Sequence, residues 1–281
     1  MTKFLLHNFI IEEHVKSALK EDIGFGDIST DYLANEDDVI SAELNTRQDG
    51  ILCGLDVMLM VFRVLDKDIK VTTYFKDGDV IKKGDKIADI EGKARFILIG
   101  ERTALNYIQR MSGIATETNK YQKAIAPYKA KIVDTRKTTP NFRMFEKYSV
   151  KVGGGALHRF NLSDCVMLKD NHIKLAGGSI EKAVAKVREN ISHAHKIEVE
   201  CDTFEQVKAS VSAGADIIML DNMSVAQMKE CVNYIDGRAI VEASGNVNLA
   251  TVNEIAATGV DIISSSAIVA KAGTLDIGLD M

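Results

Sequence analysis

Short apolar runs alternate with helix-length amphipathic segments between residues 196 and 266, and this alternation is the strongest organisational signal in the chain. KIEVEC (196–201), ADIIMLD (215–221), RAIVEAS (238–244) and VDIISSS (260–266) each predict a strand. Their near-continuous apolar character suits parallel strands covered on both faces. The intervening TFEQVKASVSAG, SVAQMKECVNYID and NLATVNEIAATG open on Thr203, Ser224 and Asn248, residues that cap helix N-termini, and two of them close on Gly.

The polar residues closing these strands are Glu200, Asp221, Ser244 and Ser265, at intervals of 21, 23 and 21 positions, the length of one β/α unit. KIVDT (131–135) and DCVMLKD (164–170) fit the same scheme and bring the total to about six strands. An open doubly wound sheet would produce a similar pattern, but no GxGxxG fingerprint is present. The pattern therefore predicts an α/β fold, an incomplete barrel of about six parallel strands whose C-terminal ends share one mouth.

Before residue 100 the texture differs. A helix is predicted over about residues 9–20, and VISAEL (39–44) and KVTTYF (70–75) read as strands among Asp49-Gly50, Asp77-Gly78 and Gly84-Asp85 turns. In residues 100–126, Leu105, Ile108 and Met111 give an apolar helical face, with Ser112-Gly113 expected to break or bend it into two helices. The expected division is an N-terminal α+β domain over 1–110 and a barrel over 111–269, with the tail from about 270 to 281 packing back on the first.

Composition limits the function classes. The net charge of −5 over 281 residues argues against sequence-blind binding of nucleic acid or an anionic membrane. The four cysteines (Cys53, Cys165, Cys201, Cys231) lack metal-ligand spacing and read as reduced, mostly buried thiols. Residues 1–22 show no cleavable targeting pattern and no run of eighteen apolar residues occurs, so a cytoplasmic location is expected.

Charge is unevenly placed, however. Residues 129–174 hold ten Lys/Arg against four acids, a segment of +6 that leaves −11 elsewhere. Lys129, Lys131, Lys147, Lys151 and Lys174 are read as a solvated face. Arg136, Lys137 and Lys169 fall at predicted strand ends, and Arg159 follows the Gly153-Gly154-Gly155 loop. Together they point to a pocket for a polyanion. Glu200 and Asp221 stand on adjacent predicted strands, where they could hold Mg²⁺, orient ribose hydroxyls or pair with the lysines. Ser244-Gly245-Asn246, between a strand and a helix, suits phosphate. His158 and His172 flank the basic segment, and Asp170-Asn171-His172 also reads as a simple hydrogen-bonded turn. These residues describe a Mg²⁺-assisted barrel enzyme acting on phosphorylated, carboxylate-bearing substrates.

EDIGFGDIST (21–30), GERTALN (100–106), SGIAT (112–116), DTRKTTP (134–140), EKYSVKVGGGALHR (146–159), LKDNH (168–172), EVE (198–200), MLDNM (219–223) and EASGN (242–246) together resemble the quinolinate phosphoribosyltransferase family. The resemblance runs in order from about residue 9 to the C-terminus. It implies an N-terminal open-faced sandwich before the barrel, and transfer of phosphoribosyl from phosphoribosyl pyrophosphate to quinolinate with loss of CO₂, giving nicotinate mononucleotide for NAD synthesis.

By the same resemblance, Arg136, His158, Arg159 and Lys169 form the quinolinate clamp, and Arg102 reaches in from the partner of a homodimer, with higher assembly left open. Thr135 joins the substrate-binding set. Lys137, Glu200 and Asp221 carry the catalytic roles, Glu200 and Asp221 hold Mg²⁺, and Asn222 lies on the donor side. Ser244, Gly245 and Asn246 form the 5′-phosphate loop, with Ser264, Ser265 and Ser266 beside it. Three positions depart from the usual motifs: Asp134 stands for a glutamate, Leu157 for an asparagine and Ser266 for a glycine.

Other protein classes share parts of this pattern. A molybdenum-transport-associated paralogue, or another pyridine-carboxylate phosphoribosyltransferase, would share the fold. A Schiff-base aldolase using Lys169 would share the barrel. The Asp77-Gly78-Asp79 and Lys83-Gly84-Asp85 turns resemble biotinyl/lipoyl carriers, but no modifiable Lys stands on a hairpin between them and residues 130–270 go unexplained.

Overall fold

The computed structural model describes residues 6–281, which form two compact units. One contains the chain up to residue 119, with 139–154 and 272–281; the other contains 120–138 and 155–271. The reading of residues 1–22 as free of a targeting segment falls partly on 1–5, outside the described residues. No helix among the described residues is long and apolar enough to cross a membrane.

In the first unit, helices α1 (Asn8–Ile23), α2 (Thr30–Leu33) and α3 (Leu55–Leu65) accompany strands β1 (Val39–Thr46), β2 (Gly50–Ile51), β3 (Lys70–Thr73), β4 (Val80–Ile81) and β5 (Lys86–Lys93). The C-terminal strand β12 (Ile277–Asp280) completes an antiparallel sheet in the order β12-β1-β5-β3, while β2 and β4 pair separately. Leu44, Ile87 and Ile90 share a core with Val15 of α1 and Met58, Val61 and Phe62 of α3. The opposite face carries exposed ion pairs, Lys70 with Glu91 and Lys86 with Glu43. A sheet covered on one face and charged on the other is the open-faced layer expected from the resemblance.

Most of the long helix α4 (Ala94–Ala124) belongs to this unit, and it is continuous through Ser112-Gly113, contrary to the expected break. The reason is tertiary. Ser112 Oγ accepts the Cys53 amide at 2.9 Å and donates to the Cys53 carbonyl at 3.0 Å. A Cβ at Gly113 would lie 2.0 Å from the Gly273 carbonyl oxygen, so glycine serves a close approach rather than a turn. Residues 272–277 run along this helix, held by Arg110 to the Ala272 carbonyl and by Gln109 to Ile277 and Leu275. Helix α5 (Arg143–Val152) also joins the unit, because Phe142 and Phe145 pack on Tyr107 and His14 at centroid distances of 4.7 to 5.8 Å. The unit is therefore built from three stretches of chain, residues up to 119, 139–154 and 272–281.

The second unit holds β6 (Lys131–Val133), β7 (Val166–Leu168), β8 (Ile197–Cys201), β9 (Ile217–Asp221), β10 (Ile240–Ser244) and β11 (Ile262–Ser264). All pair parallel, in the order β6-β11-β10-β9-β8-β7, the six-stranded partial barrel that the apolar runs predict. Helices α6 (Asp170–Leu175), α7 (Ile180–Arg188), α8 (Phe204–Ser212), α9 (Val225–Ile235), α10 (Val252–Ala256) and α11 (Ala267–Ala270) connect them. Thr203 and Ser224 cap α8 and α9, each in a reciprocal box with a glutamine three residues on. Asn248 does not cap α10, which begins at Val252; its Oδ1 instead accepts the Ala250 and Thr251 amides of the preceding turn. All four cysteines are free thiols, three of them buried and Cys165 half-buried.

Candidate active site

Parallel pairing brings the C-terminal ends of six strands to one rim, and two adjoining cavities of about 370 and 390 Å³ open there. The first is lined by Thr135, Arg136, Lys137, His158, Arg159, Lys169, Glu200, Asp221, Ser244 and Ser264, with Met167 and Met219. The second shares Thr135, Lys137, Asp221, Ser244 and Ser264 and adds Asn222, Gly245, Asn246, Ser265, Ser266 and Lys271. Every predicted site residue except Arg102 thus lines one or both cavities. Arg102 is exposed on α4 in the first unit. That unit has its own cavity of about 500 Å³, beside His14 and Arg110, which none of the predicted site residues lines.

One side of the first cavity is cationic. Arg159 is held along the wall, its Nη1 donating to the Cys165 carbonyl at 2.8 Å and its Nη2 lying 3.6 Å from Met167 Sδ. Lys169, just past β7, reaches Glu200 Oε2 at 2.9 Å. The salt-bridge alternative for Glu200 is therefore realised in this structure, while the acid still faces the cavity. Of the residues read as a solvated basic face, Lys129 pairs with Asp261 and Lys174 with Asp170, both exposed. Lys147 departs from that reading, being fully buried in α5. His172 Nδ1 accepts the Lys169 amide at 3.0 Å and caps α6, so its role is structural.

The second cavity is built by the loops after β9 and β10. Asn222 and Asn246 take left-handed backbone conformations, with φ of 55° and 53°. Asn222 donates to Asp221 Oδ2 at 2.6 Å, and Asn246 donates to Asn222 Oδ1 at 3.0 Å. Between them Gly245 has φ +88°, and a Cβ there would stand 2.2 Å from Asn222 Oδ1. Glycine is thus required twice over, by the backbone and by the packed amide. Across this cavity, Ser265 Oγ accepts the Ala267 amide at 3.2 Å, while Ser264 Oγ is buried with no hydrogen-bond partner.

Two acids absent from the predicted set lie beneath the first cavity. Glu198 and Glu242 sit two residues before Glu200 and Ser244 on the same strands, so they share the inward face, at 1% and 3% exposure. His158 Nε2 stands 3.6 Å from Glu198 Oε2 and 3.4 Å from Glu242 Oε1. The backbone on either side fixes the histidine: its amide donates to buried Asp134 at 2.9 Å, and its Nδ1 accepts the Arg159 amide at 2.7 Å. Burial disfavours a charged ring, and the two carboxylates outweigh it, pulling the imidazole up to about 10. The Arg159 amide nevertheless occupies Nδ1, and a nitrogen that accepts carries no proton. In this geometry the ring presents its proton to the two acids at Nε2. The available sequence signal was a glutamate inside each apolar run, KIEVEC and RAIVEAS, where a charge survives burial only with a partner.

Similarity to known proteins extends over nearly the whole chain. Residues 27–112 match the quinolinate phosphoribosyl transferase N-terminal domain, and residues 114–280 match its C-terminal domain. A Bacillus subtilis protein named "Probable nicotinate-nucleotide pyrophosphorylase" is 39% identical over 279 residues, covering 99% of this chain and 93% of that one. A Nicotiana tabacum quinolinate phosphoribosyltransferase (decarboxylating), mitochondrial, is 40% identical, covering 96% and 81%. The crystal structure of NadC from Streptococcus pyogenes superposes with a TM-score of 0.96 at 40% identity, covering 99% of this chain and 98% of that one. A six-strand parallel rim, its two polar cavities and full-length similarity converge: this chain belongs to the quinolinate phosphoribosyltransferase family.

Proposed function

We propose that this protein transfers phosphoribosyl from phosphoribosyl pyrophosphate to quinolinate with decarboxylation, releasing pyrophosphate and CO₂ and yielding nicotinate mononucleotide for NAD synthesis. The observation that carries the reading is the joining of Arg136, His158, Arg159 and Lys169 to Glu200 and Asp221 around one cavity beside a glycine-bearing polar loop. Quinolinate brings two carboxylates and the sugar donor brings phosphate and pyrophosphate, so such a cavity offers each charged group an opposite partner.

In this reading Arg136, Arg159 and Lys169 grip the carboxylates and set the ring nitrogen against C1 of the ribose. The bond from C1 to pyrophosphate breaks as the nitrogen attacks. Lys137 offsets charge on the leaving group, and Glu200 and Asp221 favour the positive sugar. Loss of CO₂ leaves its electron pair at C2 of the ring, stabilised by the adjacent cationic nitrogen, and C2 then takes up a proton. The 5′-phosphate is assigned to Ser244, Gly245 and Asn246 with Ser264, Ser265 and Ser266, and Thr135 and Asn222 complete the binding set.

The hard carboxylate oxygens of Glu200 and Asp221, facing the same cavity, fit Mg²⁺. When bound, the ion would neutralise pyrophosphate charge. The reading includes a cytoplasmic homodimer in which Arg102 enters the neighbouring site.

Incubating the protein with quinolinate, phosphoribosyl pyrophosphate and Mg²⁺ is expected to release nicotinate mononucleotide and CO₂ in equal amounts. Inactivity with quinolinate alongside turnover of nicotinate would overturn the reading.

A further inference from the structure

The cluster beneath the first cavity has no role in the proposed reaction. Glu198 and Glu242 do not line the cavity, and each is nearly inaccessible to solvent. Two carboxylates at such depth require donors, yet Glu198 Oε1 and Glu242 Oε1 have no hydrogen-bond partner. The group that faces both is His158 Nε2, at 3.6 and 3.4 Å, and the ligand atoms of all three residues lie within 4.8 Å of one another. On the other edge of the ring, Nδ1 is occupied by the Arg159 amide. The imidazole is thus held from both sides, with its Nε2–H directed at the acids.

We propose that Glu198 and Glu242 are positioning residues for quinolinate binding: their charges face the Nε2–H of His158 at 3.6 and 3.4 Å, and through that attraction fix the ring and the adjoining Arg159 backbone in the clamp. The proposal rests on the quinolinate reading above. A buried acid here would otherwise weaken a cationic pocket. Directing both acids at one N–H gives their negative charge a nearby partner and limits how far it offsets the cationic clamp above. The geometry also couples two clamp residues, since the amide that occupies Nδ1 belongs to Arg159 itself.

The test has two arms. In the first, Glu198→Gln/Glu242→Gln removes both charges at nearly constant volume. The KM for quinolinate is expected to rise about tenfold or more, as for loss of a hydrogen bond to a charged group. The KM for phosphoribosyl pyrophosphate and kcat are expected to stay within about twofold, and Glu242→Asp to recover part of the loss. Equal changes in both KM values, or no change, would overturn the proposal.

The second arm uses ¹⁵N-histidine NMR of the unmodified protein, with His158 assigned by comparison with His158→Gln, and so does not depend on the double variant folding. Nδ1 is expected in the acceptor range, and Nε2 is expected to be protonated with slow proton exchange. Protonation at Nδ1, or a stoichiometric divalent metal on Nε2 that chelator removes, would overturn it. Absence of quinolinate turnover by the unmodified protein would instead sink the proposed function, and this arm would still report on the cluster.

Discussion

Lys169 Nζ lies 2.9 Å from Glu200 Oε2, joining a member of the proposed carboxylate clamp to an acid of the proposed donor side. The lysine side chain is 45% exposed and the acid 20%, so the pair is partly screened and worth no more than about 1 kcal/mol. In the proposed reaction an incoming carboxylate would draw Lys169 away at little cost and release Glu200 toward the sugar.

Glu200→Gln separates these two roles. It removes the competitor for Lys169 while deleting a carboxylate that favours positive sugar character. The expected outcome is an unchanged or lower KM for quinolinate with kcat reduced about 10²- to 10³-fold, the range for one electrostatic group in a transition state. Steady-state kinetics with each substrate varied in turn checks this, and a raised quinolinate KM would contradict it.

Arg136→Ala and Arg159→Ala each delete a guanidinium proposed to grip a carboxylate. A charged hydrogen-bonded contact contributes roughly 1.5–3 kcal/mol, so the quinolinate KM is expected to rise about 10- to 150-fold. The donor KM should change far less. Arg159→Ala is expected to be the more disruptive to folding, because its guanidinium also binds the Cys165 carbonyl; thermal unfolding of the two variants compares them.

Gly245→Ala places a Cβ 2.2 Å from Asn222 Oδ1 at φ +88°. Asn222 must move, and its bonds to Asp221 and Asn246 go with it. A weakened donor affinity with little effect on quinolinate binding is expected, together with about 1–3 kcal/mol of lost stability from overpacking and backbone strain. Isothermal titration with each substrate separately tests the asymmetry.

Gly113→Ala would gain about 1 kcal/mol from helix propensity if α4 were solvated at that point. The Gly273 carbonyl, 2.0 Å from the new Cβ, reverses the sign, since backbone on both sides leaves nothing flexible to yield. Net destabilisation of about 1–3 kcal/mol is expected in denaturant unfolding. A more stable variant would show that residues 272–274 can move off the helix.

Arg102→Ala should be inactive alone yet regain activity when mixed with the Glu200→Gln variant, provided subunits exchange. In each heterodimer one of the two shared sites is then intact. Absence of rescue in demonstrably mixed dimers would remove Arg102 from the shared site.

Much of the second unit could be read from the chain itself. Six apolar runs at β/α spacing dictate parallel strands, and parallel strands put Lys169, Glu200, Asp221, Ser244 and Ser264 at one rim without further information, because side-chain direction follows from a period of two. Thr203 and Ser224 announced their helices for an equally local reason, since a cap bonds within its own first turn. What the tertiary structure alone decided were relationships between distant segments. Ser112-Gly113 looks like a helix break until Gly273 and Cys53 are placed against it. Lys147 looks solvated until α5 joins the first unit. Glu198 and Glu242 look like stray charges in apolar strands until His158 arrives between them. Local propensity and periodicity act over a few residues and so are written in the sequence, whereas burial and charge pairing depend on which remote side chain fills the same space, and only the folded chain settles that.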